Sequence, residues 1–353
     1  MQSSTLSATP EAVVVLSPPD LLLPEPPEAP RRVPPAPTSQ AMSPADSRTR
    51  IINMLAVIVP FVGLFSAMWL CWGGAFDGVQ FGIHLFMSLS TSIGVTVGFH
   101  RLVTHRSFAT SPILRYIFAA FGSMAIQGPV IEWAGNHRRH HQHSDGEDDP
   151  HSPHMHAGGS WGTGFRATLR GLYHAHFGWL FVGHHKGLGR YTRDLSSDPV
   201  LAAVNRQFPL WAVGGLIAPA IVAGLITGTF TGALLGFLWG GLVRVLVVHH
   251  VTWSVNSICH IWGASPFRTG DESRNNPFVG ILALGEGWHN NHHAFPSSAR
   301  HGFKWWQIDI SYMLIRTMAL VGLARKIRLP DPERLRAKLR GSPDQAPAML
   351  ADD

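Results

Sequence analysis

Three clusters of histidine residues are the features of this sequence whose types and spacing could do chemistry. They read His100-Arg-Leu-Val-Thr-His105, His137-Arg-Arg-His140-His141 and His289-Asn-Asn-His292-His293. Imidazole is the commonest metal-binding side chain and suits iron, zinc and copper. The eight imidazoles are more than one ordinary metal site uses. Each cluster also lies near a long apolar stretch, so the clusters predict two metal ions held close together beside a membrane.

The spacing within the clusters predicts how the side chains are presented. The second and third clusters share an i, i+3, i+4 spacing, which puts three side chains on one face of a helix. His100 and His105 are five residues apart, which is roughly 140° around a regular α-helix. We expect these two to share a site only if the helix ends or distorts there, or else to bind different metal ions.

The type of donor narrows the metal chemistry. No Glu follows the first His of any cluster, so the HExxH pattern of zinc proteases is absent. The Glu-x-x-His pairs of ferritin-like diiron proteins are not visible either, which leaves neutral nitrogen as almost the whole donor set. A metal-bound histidine normally donates its other N–H to a carboxylate or a carbonyl. The carboxylates close enough in sequence to accept are Glu132, Asp145, Asp148, Asp149 and Glu286.

The composition predicts a membrane protein. Charged residues make up 14% of the 353 residues, whereas roughly a quarter is usual in soluble domains. The 12 tryptophans fit a protein with rings at a lipid–water interface. The net charge of +6 predicts basic loops beside membrane spans rather than nucleic-acid binding. Two cysteines exclude a disulfide framework and a cysteine-based zinc site.

The uncharged runs Ile51–Trp72, Val79–Phe99 and Gln207–Val243 predict four transmembrane helices, because about 20 apolar residues cross a bilayer and the third run is long enough for two. Their expected bounds are about 51–72, 79–99, 208–227 and 232–249. The apolar segment Ile113–Ile131 would put the first two clusters on opposite membrane faces if it crossed. We therefore interpret it as a re-entrant, interfacial or buried helix. Ile308–Leu323 contains Asp309 and Arg316, which favours a helix lying on the membrane surface.

The charge distribution predicts the orientation of the chain. We expect all 28 Lys and Arg residues to lie on the side of the histidine clusters, and the spans to hold no ionisable residue apart from His84. The positive-inside preference then makes the histidine side and both termini cytosolic. The Pro-rich residues 1–50 predict a disordered tail without a cleaved signal peptide, and residues 324–353 predict a basic tail.

The order of the motifs closely resembles that of the integral-membrane fatty acyl desaturases, specifically the Δ9 acyl-CoA (stearoyl-CoA) type. The resemblance covers roughly residues 50–320, within a predicted desaturase domain at 51–323, and rests on HRLVTH, EWAGNHRRHH, NSICH and GEGWHNNHH. It implies an all-α membrane protein with four transmembrane helices and a cytosolic helical cap that holds two irons. It also implies a ninth histidine ligand, His260, and an iron contact through water from Asn256.

The resemblance implies O2-dependent removal of two hydrogens from adjacent methylenes of a saturated acyl chain, which gives a cis double bond. Gln127 and Trp133 match positions that line the acyl tunnel in this family. Animal members carry basic residues that contact coenzyme A at the positions of Gly135 and Gly183-His184 here. The acyl carrier therefore stays open among coenzyme A, acyl carrier protein and an intact phospholipid.

The resemblance also implies a separate electron donor, because no cytochrome b5 haem motif (His-Pro-Gly-Gly) is present in the chain. The residues after the third cluster look bacterial, which favours a ferredoxin-type donor over a cytochrome b5-like one with its reductase. They also favour the inner membrane of a bacterium. The loop histidines His143, His151, His154 and His156 are interpreted as solvated.

Two alternative functions remain at this point. A related histidine-box hydroxylase or alkane monooxygenase would use the same metals but insert oxygen, and the alkane enzymes have differently spaced clusters. A metal transporter would place ionisable residues within its spans. The predicted spans contain only His84, so the sequence favours the desaturase.

Overall fold

The computed structural model describes residues 22–24, 47–72, 76–156, 158–182 and 188–340. The predicted disordered tail lies outside these residues, apart from the short strand β1 (Leu22–Pro24) and the first turn of the first helix, α1 (Ser47–Trp72). The described chain is mostly helical. Four helices are long and apolar enough to cross a membrane, which confirms the predicted number of spans.

The four candidate spans follow one another along the chain in two pairs, with few residues between the members of each pair. After α1, Asp77 caps α2 (Gly78–Ile93), which continues as a π-helix over Gly94–Thr104. The third span is α8 (Phe208–Thr227), which ends at Gly228 in the left-handed conformation, with φ of 64°. A Cβ is disfavoured at such a φ, so a glycine there suits a sharp reversal of the chain.

The fourth span begins with α9 (Phe230–Gly236) and passes through a π-helix at Phe237–Val243. It goes on as α10 (Arg244–Ser257) and ends in a 3₁₀ turn at Ile258–His260. The second and fourth spans therefore run to Thr104 and His260, several residues further than their apolar sequences predict. These extensions carry histidines from the ends of the spans into the rest of the fold.

The rest of the fold, here called the cap, comprises residues 105–206 and 261–340. Its helices are α3 (Pro112–Met124), α4 (Val130–His143), α5 (Phe165–His176), α6 (Gly189–Ser196), α7 (Pro199–Arg206), α11 (Pro277–Leu282), α12 (His289–Ala294), α13 (Ile310–Leu320) and α14 (Pro332–Lys338). Its strands are β2 (Ala109–Thr110), β3 (Met155–His156), β4 (Gly159–Ser160), β5 (Ala324–Arg325) and β6 (Ile327–Leu329). The strands pair two by two as β1–β6, β2–β5 and β3–β4.

The segment predicted not to cross the membrane is divided between two helices. Helix α3 has 13 residues, too few to span a bilayer, and the chain turns at Ala125–Pro129 before α4 begins. Helix α3 packs tightly on the second span, because a Cβ on Gly94 would lie 2.2 Å from the backbone nitrogen of Gly122. Helix α3 is therefore fixed to the second span.

The surface-lying helix predicted over Ile308–Leu323 is α13. Its 11 residues are too few for a span, and its two faces differ. Ile315 is fully buried against the second span, in a cluster with Val97 and Leu102. Met313 and Leu320 point outward and are exposed by 61% and 82%.

The expectation that the spans hold no ionisable residue apart from His84 is wrong, as is the placement of every Lys and Arg outside them. Arg244 begins α10 inside the fourth span and is completely buried. Its guanidinium donates to the carbonyls of Gly240, Met124 and Gly215 at 3.0, 2.7 and 2.5 Å. Because these bonds tie up the charge within the protein, Arg244 acts as a structural link and does not indicate an ion path.

Two of the carbonyls that accept a hydrogen bond from Arg244 belong to other helices, and both lack a donor within their own helix. Pro219 lies within α8 and has no N–H, so the carbonyl of Gly215 four residues earlier has no helical donor. Met124 is the last residue of α3, where carbonyls also lack helical partners. Arg244 therefore joins α3 and α8 to the fourth span through groups that would otherwise be unpaired.

Two further histidines fasten helices together. His84 in the second span contacts the carbonyl of Trp239 at 3.0 Å, which joins the second span to the fourth. The Nε2 atom of His249 donates to the carbonyls of Ala125 and Ile126 at 2.8 and 3.1 Å. His249 and Arg244 thus hold the turn between α3 and α4 from the same helix.

The sequence predicts a basic tail that begins at residue 324, but the structure moves this boundary. Residues 324–340 are part of the cap, because Leu335 and Leu339 pack with Phe267, Phe295 and Phe303 in one buried cluster. Apolar residues among the basic ones carry this packing. Residues 341–353 lie outside the described part of the chain.

Arg244→Leu is expected to destabilise the protein by about 3 kcal/mol or more, because three buried carbonyls lose a donor where water cannot replace it. The midpoint of thermal unfolding in detergent measures this loss. Arg206→Leu is the control, since Arg206 is exposed at the end of α7. An Arg244→Leu protein that unfolds at the control's temperature would contradict the structural role of Arg244.

Candidate metal centre

The first histidine cluster depends on the π-helix. In a π-helix each backbone N–H bonds to the carbonyl five residues earlier, and the N–H of His105 bonds to the carbonyl of His100 at 3.1 Å. Residues five apart therefore lie above one another. The rings of His100 and His105 lie 4.8 Å apart, centroid to centroid. The predicted helix distortion is thus a π-helix, and it brings both imidazoles to one site.

The second and third clusters lie on facing helices. Helix α4 presents His137, His140 and His141, and the short helix α12 presents His289, His292 and His293. Both helices have the predicted one-sided spacing. His260 enters from the 3₁₀ turn at the end of the fourth span, where it is fully buried.

The nine histidines separate into two groups, each close enough to hold a metal ion. Within each group the candidate ligand atoms all lie within 4.8 Å of one another. The five-histidine group contains His100, His105, His137, His141 and His292. The four-histidine group contains His140, His260, His289 and His293. Helices α4 and α12 each contribute to both groups, so the two sites are neighbours.

The distances between ring nitrogens have the size that a central ion would impose. In the five-histidine group, Nε2 of His292 lies 3.1 Å from Nε2 of His100 and 2.8 Å from Nε2 of His141. In the four-histidine group, Nε2 of His289 lies 3.1 Å from that of His260 and from that of His293. Metal–nitrogen bonds of about 2.1 Å meeting at about 90° to 109° would hold two nitrogens about 3.0 to 3.4 Å apart.

Carboxylates fix which ring nitrogen of several histidines faces inward. The Nδ1 atom of His140 lies 2.9 Å from Asp149, and Nδ1 of His293 lies 2.8 Å from Asp271. A neutral imidazole that donates from Nδ1 has a lone pair on Nε2. The Nε2 atoms of His140 and His293 face each other at 3.3 Å. Two facing lone pairs repel unless a cation lies between them, so the four-histidine group is built for a cation.

The same kind of contact supports a histidine from each of the two long spans. The Nδ1 atom of His260 lies 2.8 Å from Asp145, and Nδ1 of His100 lies 2.8 Å from Glu286. Arg101 also bonds to Glu286, at 3.1 Å. Partners that hold ligand histidines in this way orient the rings and make them more basic.

The buried position of the site keeps five of the imidazoles neutral. Burial, followed by the neighbouring imidazoles, lowers the pKa of His105, His137 and His141 well below its ordinary value. The same causes lower the pKa of His289 and His292. Neutral imidazole is the form that binds a metal. The Nε2 atom of His105 is buried without a hydrogen-bond partner in the described structure, so it is available to bind a metal ion.

The supporting carboxylates are held in their ionised form. Burial alone would raise the pKa of Asp149, but the facing His140 imidazole outweighs it and holds this pKa well below its usual range. Asp271 behaves in the same way against His293. For Glu286, the charge of Arg101 and then the contact with His100 outweigh burial, so its pKa is also low. Each carboxylate can therefore accept an N–H bond at neutral pH.

Three of the five carboxylates predicted from sequence contact candidate ligands, namely Asp145, Asp149 and Glu286. The other two do not serve in this way. Glu132 is exposed, and Asp148 pairs with Arg139 at 2.8 Å. Sequence reasoning missed Asp271, because it lies 22 residues before His293 with no spacing that marks it. Only the folded loop brings Asp271 to its histidine.

The two asparagines within the third cluster point away from the metal groups. Asn290 bonds to the backbone of Phe267, through its side-chain oxygen at 2.8 Å and its nitrogen at 3.2 Å. Asn291 donates to the carbonyl of His301 at 2.7 Å and accepts from the side chain of Asn275 at 2.6 Å. These bonds fasten α12 to its surroundings, so its histidines have fixed positions.

The loop histidines were expected to be solvated, but at least one of them is buried. His151 is buried beside Asp149 and His140, and His154 contacts the carbonyl of His260 at 2.8 Å. His143 lies 3.3 Å from the Tyr191 hydroxyl, and the ring of His156 packs on Trp161. His301 was not singled out in the sequence, yet it is buried and its Nδ1 lies 3.0 Å from Glu286.

The two residues matched to an acyl tunnel are linked to the five-histidine group. The indole ring of Trp133 stacks on His137, with centroids 5.2 Å apart. Its N–H donates to the side-chain oxygen of Gln127 at 3.3 Å, and Gln127 donates to Thr252 at 2.9 Å. Asn256 is half-buried on the last turn of α10.

Comparison with known proteins identifies the family. The sequence profile described as "Fatty acid desaturase" matches residues 77–316. The chain belongs to the fatty acid desaturase family. The match includes both metal groups and three of the four candidate spans. The family typically uses a dimetal centre, which agrees with the two histidine groups found here.

Three relatives of this desaturase carry different names. A hex-5-enoyl-(acyl-carrier protein) acetylenase from Moorena producens is 42% identical, over 81% of this chain and 88% of the relative. An sn-1 stearoyl-lipid 9-desaturase from Anabaena variabilis is 37% identical, over 73% and 88%. An icosanoyl-CoA 5-desaturase from Limnanthes douglasii is 34% identical, over 82% and 73%. Their names specify three different acyl carriers.

Asp271→Asn is expected to weaken metal binding at the four-histidine group by about 10- to 100-fold, because His293 loses the carboxylate that orients it. Metal titration of the metal-free protein measures this change. Glu132→Gln removes an exposed carboxylate and serves as the control. Equal metal affinity in the two variants would show that the Asp271 contact does not support the site.

Proposed function

We propose that this protein introduces a cis double bond at the Δ9 position of a saturated fatty acyl chain, using O2 at a histidine-ligated diiron centre. The observation that carries the proposal is the pair of inward-facing imidazole groups within a fatty acid desaturase. The sn-1 stearoyl-lipid 9-desaturase relative supports the Δ9 position. Two hydrogens leave adjacent methylenes in the reaction.

Iron is the proposed metal, and the nine histidines His100, His105, His137, His140, His141, His260, His289, His292 and His293 are its proposed ligands. Neutral nitrogen donors suit iron, and the convergent Nε2 atoms fit a bound cation. Asn256 is proposed to reach the site through water. Bound irons would activate O2 for attack on a C–H bond, and the protein's own groups hold, orient and shield the reactants.

The residues around the centre position the acyl chain. A methylene chain offers no hydrogen-bonding group, so the shape of its binding site decides which carbons approach the metals. Trp133 supplies a flat apolar surface beside His137, and its bond to Gln127 fixes the angle of the ring. We propose that these two residues line the site near the reacting carbons. The apolar cluster of Val95, Ala125 and Val248 next to Trp133 continues this surface.

The carrier of the acyl chain is a separate question, and one residue bears on it. Gly135 matches a position that is basic in animal relatives, and here a Cβ would meet Thr192 at 2.7 Å. A side chain there would require the Thr192 side chain to move. The other such position, Gly183-His184, lies outside the described residues. Acyl-CoA, acyl-(acyl carrier protein) and phospholipid substrates are therefore to be compared directly as substrates.

The proposed location is the inner membrane of a bacterium, with the termini and the metal centre in the cytosol. Four helices are able to span the bilayer. Among the described residues, the basic ones other than Arg244 lie at the start of α1, at the end of the second span or in the cap. The side that carries them is cytosolic by the positive-inside preference. A saturated lipid chain is itself found in the bilayer, next to the proposed site.

Expression in a host of known lipid composition is expected to raise the content of cis-monounsaturated acyl chains with the bond at Δ9. His140→Ala is expected to abolish the increase while the protein stays in the membrane fraction, because the four-histidine group loses a ligand. His143→Ala, on the same helix, is expected to retain activity. Gas chromatography with double-bond location measures the products. Hydroxylated chains in their place would contradict desaturation.

Purified active protein is expected to contain about two irons per chain. His105→Ala and His289→Ala are each expected to lower this to about one, because they belong to different groups. Elemental analysis measures the content, and a chelator that removes the iron is expected to abolish activity. Active protein that contains zinc alone would refute the proposed diiron centre.

A further inference from the structure

A basic surface lies directly outside the third histidine cluster. Two chain segments form it by pairing through their backbones. The N–H of Arg268 bonds to the carbonyl of Lys338 at 2.8 Å, and the N–H of Arg340 bonds to the carbonyl of Pro266 at 2.7 Å. The basic surface consists of Arg268, Arg334, Arg336, Lys338 and Arg340. Arg268, Arg336 and Arg340 are exposed, and the other two are half-buried.

The charges of this surface are concentrated toward one end of α14. Asp331 caps the helix at its N-terminus, and Glu333 lies in the first turn. The basic residues follow, up to Arg340 beyond the last turn. An acidic partner would therefore be attracted to the C-terminal end of α14 and to Arg268, where the positive charges lie together.

Two hydrogen-bonded connections lead from the basic surface to the four-histidine group. The N–H of Phe267, next to Arg268, donates to the side chain of Asn290 at 2.8 Å. Asn290 follows the candidate ligand His289 in the chain. The ammonium group of Lys338 donates to the carbonyl of Ala294 at 2.8 Å, and Ala294 follows His293. The surface is thus separated from the metal ligands by a single layer of residues.

The proposed reaction needs electrons from outside the substrate. Removal of two hydrogens from the acyl chain supplies two electrons and two protons, whereas reduction of O2 to two waters takes four of each. The other two electrons come from a reductant, with two protons from solvent. The balance is saturated acyl chain plus O2 plus two electrons and two protons, giving the unsaturated chain plus two waters. Each turnover thus requires electron transfer from a donor.

We propose that the electron donor is a protein with an acidic surface and that it docks on the basic surface, from which electrons enter the four-histidine group. The inference rests on the proposed function, since only an O2-reducing enzyme needs this donor. Charge complementarity speeds the encounter and fixes the orientation of a short-lived complex. The bonds through Asn290 and Ala294 then give the electrons a short path.

The composition of the surface favours a protein partner over the membrane. A helix that lies in a bilayer surface presents large apolar side chains to the lipid. Among the described residues, neither the segment 324–340 nor the segment 263–277 has an exposed large hydrophobic side chain. By contrast, Trp305 is 93% exposed and Leu320 of α13 is 82% exposed. The apolar edge that suits lipid is therefore formed by other residues.

The test measures binding of an oxidised, acidic plant-type ferredoxin to the protein in nanodiscs of neutral lipid. Binding by the wild type is expected to weaken as the ionic strength rises from about 0.01 M to about 1 M, where the Debye length falls from about 30 Å to about 3 Å. Arg336→Glu with Arg340→Glu is expected to weaken binding about 10- to 100-fold at low salt. Arg336→Glu alone, at an exposed position, is expected to have a smaller effect in the same direction.

The matched control is Arg193→Glu with Arg206→Glu, which changes the net charge equally at exposed positions on α6 and α7. The control pair is expected to bind ferredoxin as the wild type does. The proposal is overturned if the wild type does not bind ferredoxin at low salt. It is also overturned if both pairs of substitutions weaken binding equally.

A second measurement separates this inference from the proposed function. Double-bond formation is compared with reduced ferredoxin and with a small chemical reductant, reduced methyl viologen. The Arg336→Glu and Arg340→Glu protein is expected to lose turnover with ferredoxin and to keep it with methyl viologen. Equal loss with both reductants contradicts the docking surface. Charge-dependent binding by a wild type that forms no double bond with either reductant contradicts the proposed function alone.

Discussion

The structure depends on bringing nine imidazoles together with ring nitrogens facing inward in two groups. Facing lone pairs repel, so the fold must hold these rings in place until a cation joins them. Hydrogen bonds from Nδ1 to Asp149, Asp271, Asp145 and Glu286 do this for four of the rings. Burial lowers the pKa of His105, His137, His141, His289 and His292 and so keeps these imidazoles neutral. Asp149 and Asp271 remain charged because each faces a ring, and Glu286 remains charged mainly because it faces Arg101. Helices α4 and α12 and the ends of the second and fourth spans hold the rings in this arrangement.

The membrane helices contribute to the site as well as spanning the bilayer. The second and fourth spans extend beyond their apolar parts to Thr104 and His260, and thereby hold histidines at fixed positions relative to the bilayer. Arg244 and His249 connect the fourth span to the turn that follows α3. That turn leads to Gln127, which bonds to Trp133 beside His137. The bilayer part and the candidate metal centre are thus one connected structure, which suits a membrane enzyme that acts on a fatty acyl chain.

The sequence predicts the three histidines on one face of each of α4 and α12 because their spacing is a local property of a helix. The four spans follow from runs of apolar residues in the same way. The supporting residues are harder to predict, since Asp271 reaches His293 only through the fold and nothing in its own neighbourhood marks it. Arg244 was misplaced because an arginine within a span looks unfavourable until its carbonyl partners are known. Residues 324–340 appeared to be a charged tail, since the apolar residues that bury them are few and widely spaced.

The central claim is that the nine histidines hold two iron ions, one in each group. Anomalous diffraction from crystals of the iron-loaded protein, measured on both sides of the iron absorption edge, tests it most directly. The account predicts two peaks, one among His100, His105, His137, His141 and His292, and the other among His140, His260, His289 and His293. A single peak, or a peak bound by carboxylates outside the two groups, would contradict it.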